Sequence, residues 1–445
     1  MTKLHEQYGD IVRVGPRELS INDPNAISSI LGGKSNMIKG PWYLAAHGGK
    51  GPRVLSLHVT IDPASRKARR RIWDQAFSVK ALNTYEDDLK KFTNAIMEKL
   101  EIKAKEGKSL AIDQWCMFFS FDIMGQLGFS KSFDMTNKGK FSNEITLLEG
   151  FMSAVMILGN IPYISEIARL LPNPLQMFDD YTQKAVDERI QLEKSSSTQR
   201  ADIFTYLLNE DEETGWKHTK QELQADAGLI IVAGSDTSSS TLSLALFNLA
   251  SKPECFLRLR KEIQDTFPGL AAESIEDFDA LSKQCPYLNA VINETLRLHP
   301  PVASGVQREV PASSSKGEIV QLRGGKSVIL PPGTAVSIPT TFIQRDPRNF
   351  SPSPNEFRPE RWIEKEKETA FNISAFIPFG YGPSGCIGKQ LAYMEIRAFL
   401  AQFVVRFDIS LAPEFNSEEF VEGIRDTFTM TRHKHLLVRL RVRSN

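Results

Sequence analysis

Ten residues near the C-terminus constrain this chain more than any other stretch: Phe379-Gly-Tyr-Gly382-Pro-Ser-Gly385-Cys386-Ile-Gly388, followed at once by Lys389-Gln-Leu-Ala. Four glycines around one cysteine allow tight turns and close backbone approach, because glycine carries no Cβ. The amphipathic run that follows predicts a helix. Its free N–H groups and positive dipole end face the sulfur and favour thiolate over thiol. A thiolate held this way can be presented to something large and flat. It is a good axial ligand for heme iron, where thiolate donation favours O–O cleavage.

The chain has 445 residues and a formal net charge of zero. No bulk electrostatic pull toward nucleic acid is expected from that balance. Length alone suggests two or three domains, but no linker offers a place to cut. The runs Ser195–Thr198 and Ser313–Lys316 read as loops, and 1–445 reads as one domain. Cys116, Cys255, Cys285 and Cys386 lack both the close spacing of a zinc site and the density of a disulfide scaffold. No run of about 18 apolar residues is present, so no membrane-spanning helix is expected, and no signal peptide is read. The start, Leu4 to Val12, reads as leading straight into strand-like sequence.

Ile11–Val14 and Glu18–Ile21, around Gly15-Pro16, read as a hairpin. From about residue 66 to 300 the pattern is helical. Thr219-Lys-Gln-Glu222 predicts a capping box opening a long helix toward Ala250. Pro286 fits a first helical turn, and Pro300-Pro301 closes the helix that ends at Leu298. Residues 305–342 return to β character, and Val438–Val442 alternates as a half-exposed strand. The fold class expected is mainly α with a minor β portion.

Three further groups carry chemistry. Ala233-Gly-Ser-Asp236-Thr237-Ser238 sets small residues, an acid and a hydroxyl within a turn and a half of helix. Gly234 costs that helix roughly 1 kcal/mol against alanine, and Thr237 can bond back to the Ala233 or Gly234 carbonyl. The stretch reads either as a small-residue packing seam or as room for a diatomic ligand, with Thr237 and Asp236 in a proton relay. Glu294 and Arg297 lie three apart on an apolar helix, and Arg361 in Phe357–Trp362 offers Glu294 a second cation. The run Arg66-Lys-Ala-Arg69-Arg70-Arg71 reads as a solvated face, as a nucleic-acid contact, or as split duty, with Arg70 inward and Lys67, Arg69 and Arg71 in solvent.

Together and in this order, these segments resemble the cytochrome P-450 superfamily of heme-thiolate monooxygenases, in its eukaryotic microsomal class and the style of fungal secondary metabolism. The resemblance runs from residue 4 to the end. It implies a helical fold around heme b with small sheets, and Cys386 as the iron ligand. Phe379, Gly380, Gly388 and Ala233 would contact the cofactor. Thr237 and Asp236 would form the oxygen-activation pair, and Glu294, Arg297 and Arg361 a structural triad. Arg70 and Arg308 would bind the heme carboxylates. Two departures stand out. Ser384 occupies the place of a carboxylate-binding arginine or histidine, and Arg66 that of tryptophan or histidine. Ser384→Arg is therefore expected to slow heme loss.

The resemblance further implies dioxygen as co-substrate and NADPH-derived electrons from a flavoprotein reductase docking near Lys389, Lys67, Arg69 and Arg71. A monomer is expected, with no nucleic acid bound. Leu229, Val232, Ala233, Val302, Ala303, Val306, Thr427, Phe428 and Met430 would line a pocket for a neutral hydrophobic compound: a terpenoid, an indole alkaloid or another aromatic. Phe151–Leu158 would roof its access. Microsomal members carry an apolar anchor ahead of the segment like Leu4–Val14. That anchor is read as missing here, with the native protein on the cytosolic face of the endoplasmic reticulum membrane. The rival readings are an isomerase or peroxide-using enzyme on the same fold, and a non-catalytic heme protein.

Overall fold

The centre of the molecule is a helix, α7 (Lys220–Ser251), that is apolar on nearly every side. A helix of that kind has to be enclosed by others. The computed structural model describes residues 2–45, 56–142, 145–146, 176–195, 201–269, 275, 277–427 and 429–443. In it, α7 is packed by α5 (Ile112–Phe129), α6 (Gln176–Ser195), α9 (Pro286–Leu298) and α10 (Lys389–Arg406). The capping box forms as the sequence requires: Thr219 N–H donates to Glu222 Oε2 at 2.8 Å, and Glu222 N–H to Thr219 Oγ1 at 3.2 Å. Gly234 lets α7 close on α5, since a Cβ there would fall 2.6 Å from the Met124 methyl. By length and composition α7 could cross a membrane, yet 67% of its most apolar window is buried inside the protein.

Two long helices lead into α5. α3 (Pro63–Ala76) starts on Asp62, whose side chain accepts from Ser65 N–H, with proline in the first turn. α4 (Val79–Lys105) starts on Ser78. The N-terminal hairpin is present as β1 (Ile11–Gly15) and β2 (Glu18–Ile21), with Ile11 opposite Ile21. It is preceded by a helix, α1 (Thr2–Tyr8). That corrects the strand-like reading of the start: Thr2–Tyr8 contains good helix formers, and Gly9 at φ +88° ends the helix by donating to the His5 carbonyl.

A five-stranded sheet has the order β1-β2-β7-β4-β3, where β3 is Ile38–Lys39, β4 is Arg308–Glu309 and β7 is Ala335–Ser337. β5 (Glu318–Gln321) and β6 (Ser327–Leu330) form a separate hairpin. The β reading of 305–342 thus holds except at its end, where Thr340–Ile343 is a helical turn. After α10 come β8 (Phe407–Leu411), the hairpin β9 (Ile424–Thr427) and β10 (Thr429–Arg432), and β11 (Leu437–Val442). β11 pairs with β8 and alternates in burial as its sequence predicts. One apolar cluster fills the helical part. A second lies under the five-stranded sheet around Ile27, Ile30, Val310, Val336 and Phe350. Phe151–Leu158, Phe428 and most of Ser195–Thr198 lie outside the described residues.

A buried carboxylate joins α3 to α7. Asp226 accepts from Arg69 Nη2 at 2.7 Å, from Trp73 Nε1 at 3.2 Å and from Leu57 N–H at 2.7 Å. Arg69 is therefore buried, not solvated as its neighbours suggest, because position 69 shares the inward face with Ile72, Trp73 and Ala76. Burial works to raise the Asp226 carboxyl, and His218 and Arg69 beside it hold it below the usual range. Asp226→Ala is expected to cost about 3–5 kcal/mol by stranding the Arg69 charge, seen as a lower denaturant midpoint with unchanged slope. A loss under about 1 kcal/mol would mean this junction is dispensable.

Candidate active site

The cysteine loop is shaped by backbone bonds and by what lies behind it. Gly380 and Gly382 take φ of +71° and +68°, where a side chain is strained. At Gly382 a Cβ would also sit 2.2 Å from the Leu31 carbonyl oxygen. Cys386 N–H donates to Phe379 O at 2.8 Å, and Gly385 N–H to Gly382 O at 2.9 Å. Gly388 is the N-cap of α10. The Cys386 side chain has accessible surface, yet burial pushes its thiol up against the Gly388 N–H, Arg70, and the Lys389 charge and N–H, which all act to lower it. The helix N-terminus supports thiolate as expected, but here burial outweighs it. A metal cation on the open side would remove the proton outright.

Behind the loop, Glu294 sits fully buried. It takes Arg297 Nε and Nη2, each at 2.8 Å, Arg361 Nε at 3.0 Å, Trp362 Nε1 at 3.0 Å and Arg358 N–H at 2.9 Å. Burial acts to raise this carboxyl, and Arg297 and Arg361 bring it below the usual range. Arg297 Nη1 also donates to the Gln344 carbonyl at 2.8 Å and the Pro354 carbonyl at 2.6 Å. Gln344 was not singled out from the sequence. Its Nε2 donates to the Leu296 and Arg297 carbonyls at 3.0 Å each, and its Oε1 accepts from Ile377 N–H at 2.9 Å. The side chain thus ties α9 to the start of the cysteine loop.

On α7, Ala233 is exposed although Ser235 and Ser238 beside it are buried. Thr237 Oγ1 donates to the Ala233 carbonyl at 2.7 Å. Burial pushes the Asp236 carboxyl up, against a hydrogen bond from Thr429 and the charge of Arg432 on β10. Leu229, Val232, Val302, Ala303 and Val306 are all half-buried. The C-terminal hairpin joins the two groups: Met430 N–H donates to the Pro301 carbonyl at 2.9 Å, and Arg432 Nη1 to Ser240 Oγ at 2.7 Å. Met430 itself is buried, and the Thr427 hydroxyl is turned to the Thr429 carbonyl.

At the other side of the loop, cations converge. Lys39 and Arg308 are direct partners across β3 and β4, and both are buried. Burial, then Arg66, Arg308, Arg69 and Arg70, push the Lys39 amine down to about 7. Burial, then Arg308 and Arg70, depress Arg66. Among the described residues no carboxylate forms an ion pair with Lys39, Arg66 or Arg308. Like charges opposed across a sheet and away from water repel unless an anion is shared between them. An accessible sulfur at a helix N-terminus with cations alongside fits a planar metal complex carrying carboxylates. Of the other basic residues, Arg71 is paired with Asp211 and Glu213, leaving Lys67 and Lys389 exposed.

The chain belongs to the cytochrome P450 family, whose model matches residues 1–437. Relatives include a cytochrome P450 monooxygenase, FCK2, of Fusarium pseudograminearum, 36% identical over 96% of this chain and 74% of its own. Another is a tryprostatin B 6-hydroxylase of Aspergillus fumigatus, 32% identical over 97% of this chain and 75% of its own. A crystal structure of a cytochrome P450 (CYP102L1) superposes with a TM-score of 0.81 at 21% identity, covering 99% of this chain and 93% of that one, and speaks for the fold. The protein is thus a P450 monooxygenase. Membership implies heme iron, dioxygen, a redox partner and a hydrophobic substrate.

One buried acid escaped the sequence reading. Glu395 on α10 accepts from Ser120 Oγ at 2.5 Å and from Ser238 on α7. Burial raises it from 4.5 to about 7, against those two hydroxyls. The folded chain therefore holds a proton that the unfolded chain has released between those values. Its stabilisation is full below 4.5 and lost as pH rises through about 7. Relative to Glu395→Gln, the parent should lose roughly 3 kcal/mol across that window, read as diverging melting midpoints. A difference that stays flat would show the acid already ionised in the fold.

Proposed function

We propose that the chain is a single-domain monooxygenase inserting one atom of dioxygen into a neutral, hydrophobic secondary metabolite: a terpenoid, an indole alkaloid or another aromatic compound. Electrons come from an NADPH-dependent flavoprotein reductase. The observation that carries the reading is the accessible Cys386 sulfur, held by backbone N–H groups beside the convergent cations. Cys386 bonds the iron, and the Phe379, Gly380, Gly388 and Ala233 surfaces bound the ring. Heme, when bound, supplies dioxygen activation, with thiolate donation favouring O–O cleavage.

The remaining residues position and protect. Glu294, Arg297 and Arg361 hold the loop, and Gln344 passes that restraint to Ile377. Leu229, Val232, Val302, Ala303, Val306 and, from the hairpin, Phe428 exclude water and orient substrate. The Thr237 hydrogen is engaged by the Ala233 carbonyl, so its oxygen lone pairs remain to accept from a proton-bearing group. Asp236, with its carboxyl raised by burial, can hold and return a proton. The relative named for hydroxylating tryprostatin B supports the substrate class. The protein acts as a monomer at the cytosolic face of the endoplasmic reticulum membrane, with Lys67 and Lys389 toward the reductase.

Cys386→Ala is expected to abolish the ferrous carbon monoxide Soret band that marks thiolate ligation. An unchanged band and turnover would end this reading. Thr237→Ala should keep the band and uncouple the reaction, sending electrons to peroxide at about 10- to 100-fold lower product yield per electron. Unchanged coupling would remove Thr237 from proton handling.

A further inference from the structure

The four cations beside the cysteine loop are not equivalent. Arg70 already has a carboxylate partner: its Nε lies 2.8 Å from Asp74 Oδ1, and its Nη1 donates to the Gly385 carbonyl at 2.9 Å. It therefore acts as a clamp on the loop backbone. Lys39 is tethered by its Nζ to the Leu57 carbonyl at 3.1 Å and the His58 carbonyl at 2.5 Å. Arg66, one turn before Arg70 on the same face of α3, differs. It is half-buried, and its Nη1 donates to the Ser384 hydroxyl at 2.8 Å. That hydroxyl is neutral, so the Arg66 charge stays uncompensated next to Arg308 and Arg70. A guanidinium spends one N–H on the serine oxygen and keeps four others.

We infer that Arg66 is the cation that receives a carboxylate of the heme edge beside the cysteine loop, and that Ser384 is the positioning residue that aims it. The inference rests on Cys386 binding heme, as proposed above. It places on α3 the charge that the family resemblance would put in the loop itself. A hydroxyl at 384 accepts from Arg66, whereas a guanidinium there would repel it. The arrangement therefore reverses the expectation drawn from the sequence alone: Ser384→Arg by itself adds a cation to a crowded site and should speed heme loss, not slow it.

The test follows heme transfer from holoenzyme to excess apomyoglobin. Arg66→Leu is expected to lose heme about 10- to 100-fold faster, the worth of one charge-assisted hydrogen bond, while its carbon monoxide Soret band stays at the thiolate position. Ser384→Ala should fall between parent and Arg66→Leu. The exchange of both residues, Arg66→Ser with Ser384→Arg, should return the rate to near the parent. Resonance Raman bands of the heme carboxylate side chains should shift in Arg66→Leu and return in the exchanged protein, which a purely structural role for Arg66 would not produce. Equal transfer rates for Arg66→Leu and parent, unshifted carboxylate bands, or slower loss from Ser384→Arg with Arg66 intact would each overturn the inference. A parent protein without the thiolate band would instead overturn the heme reading itself, so the two failures are distinct.

Discussion

The carboxylate of Glu294 is the point on which the loop side of the molecule turns. Two guanidiniums, an indole N–H and a backbone N–H converge on its two oxygens. Arg297 and Arg361 are both fully buried, and Arg361 holds a second carboxylate besides, Glu368 at 2.6 Å. The guanidiniums then use their remaining donors on carbonyls of Gln344, Pro352, Ser353, Pro354 and Glu356. An irregular stretch of chain, with little regular pairing of its own, is thereby fixed against α9. Gln344 passes the restraint on to Ile377 at the start of the cysteine loop, so the loop's position is inherited from an acid some ninety residues earlier in the chain.

The opposite flank is organised by the reverse condition. Around Glu294 the charges balance within the protein. Around Lys39, Arg66 and Arg308 they do not among the described residues, and Arg66 reaches the cysteine loop at Ser384. The two flanks divide the work: one fixes the loop without a ligand, and the other gathers cations that an anionic ligand would neutralise. α3 carries part of the second flank: Arg69 anchors the helix to α7 through Asp226, and Arg66 and Arg70 reach the loop.

Much of this was legible in the chain where the signal is local. The Thr219 and Glu222 cap, the hairpin at Ile11–Ile21, Pro286 in a first turn and the glycines around Cys386 each declare themselves within a few residues. The Glu294 and Arg297 pair declared itself through the apolar helix around it. What was illegible depends on partners far apart in sequence. Arg69 looked like one more cation in a basic run, and its buried partner is Asp226. Lys39 carried no signal until β3 set it opposite Arg308. Glu395 had a signal that went unread: an acid in phase with Leu391, Ala398 and Phe399 on a helix buried over most of its length.

Gln344 carries a consequence of its own. Its amide faces two carbonyls with its nitrogen and one N–H with its oxygen, so both ends are needed and they cannot be exchanged. Glutamate is nearly its twin in shape but brings no donor, and would turn a negative charge toward the Leu296 and Arg297 carbonyls. Hydrolytic loss of that single amide during ageing would therefore do what a deliberate substitution does, cutting the tie between α9 and Ile377 without changing the size of any side chain.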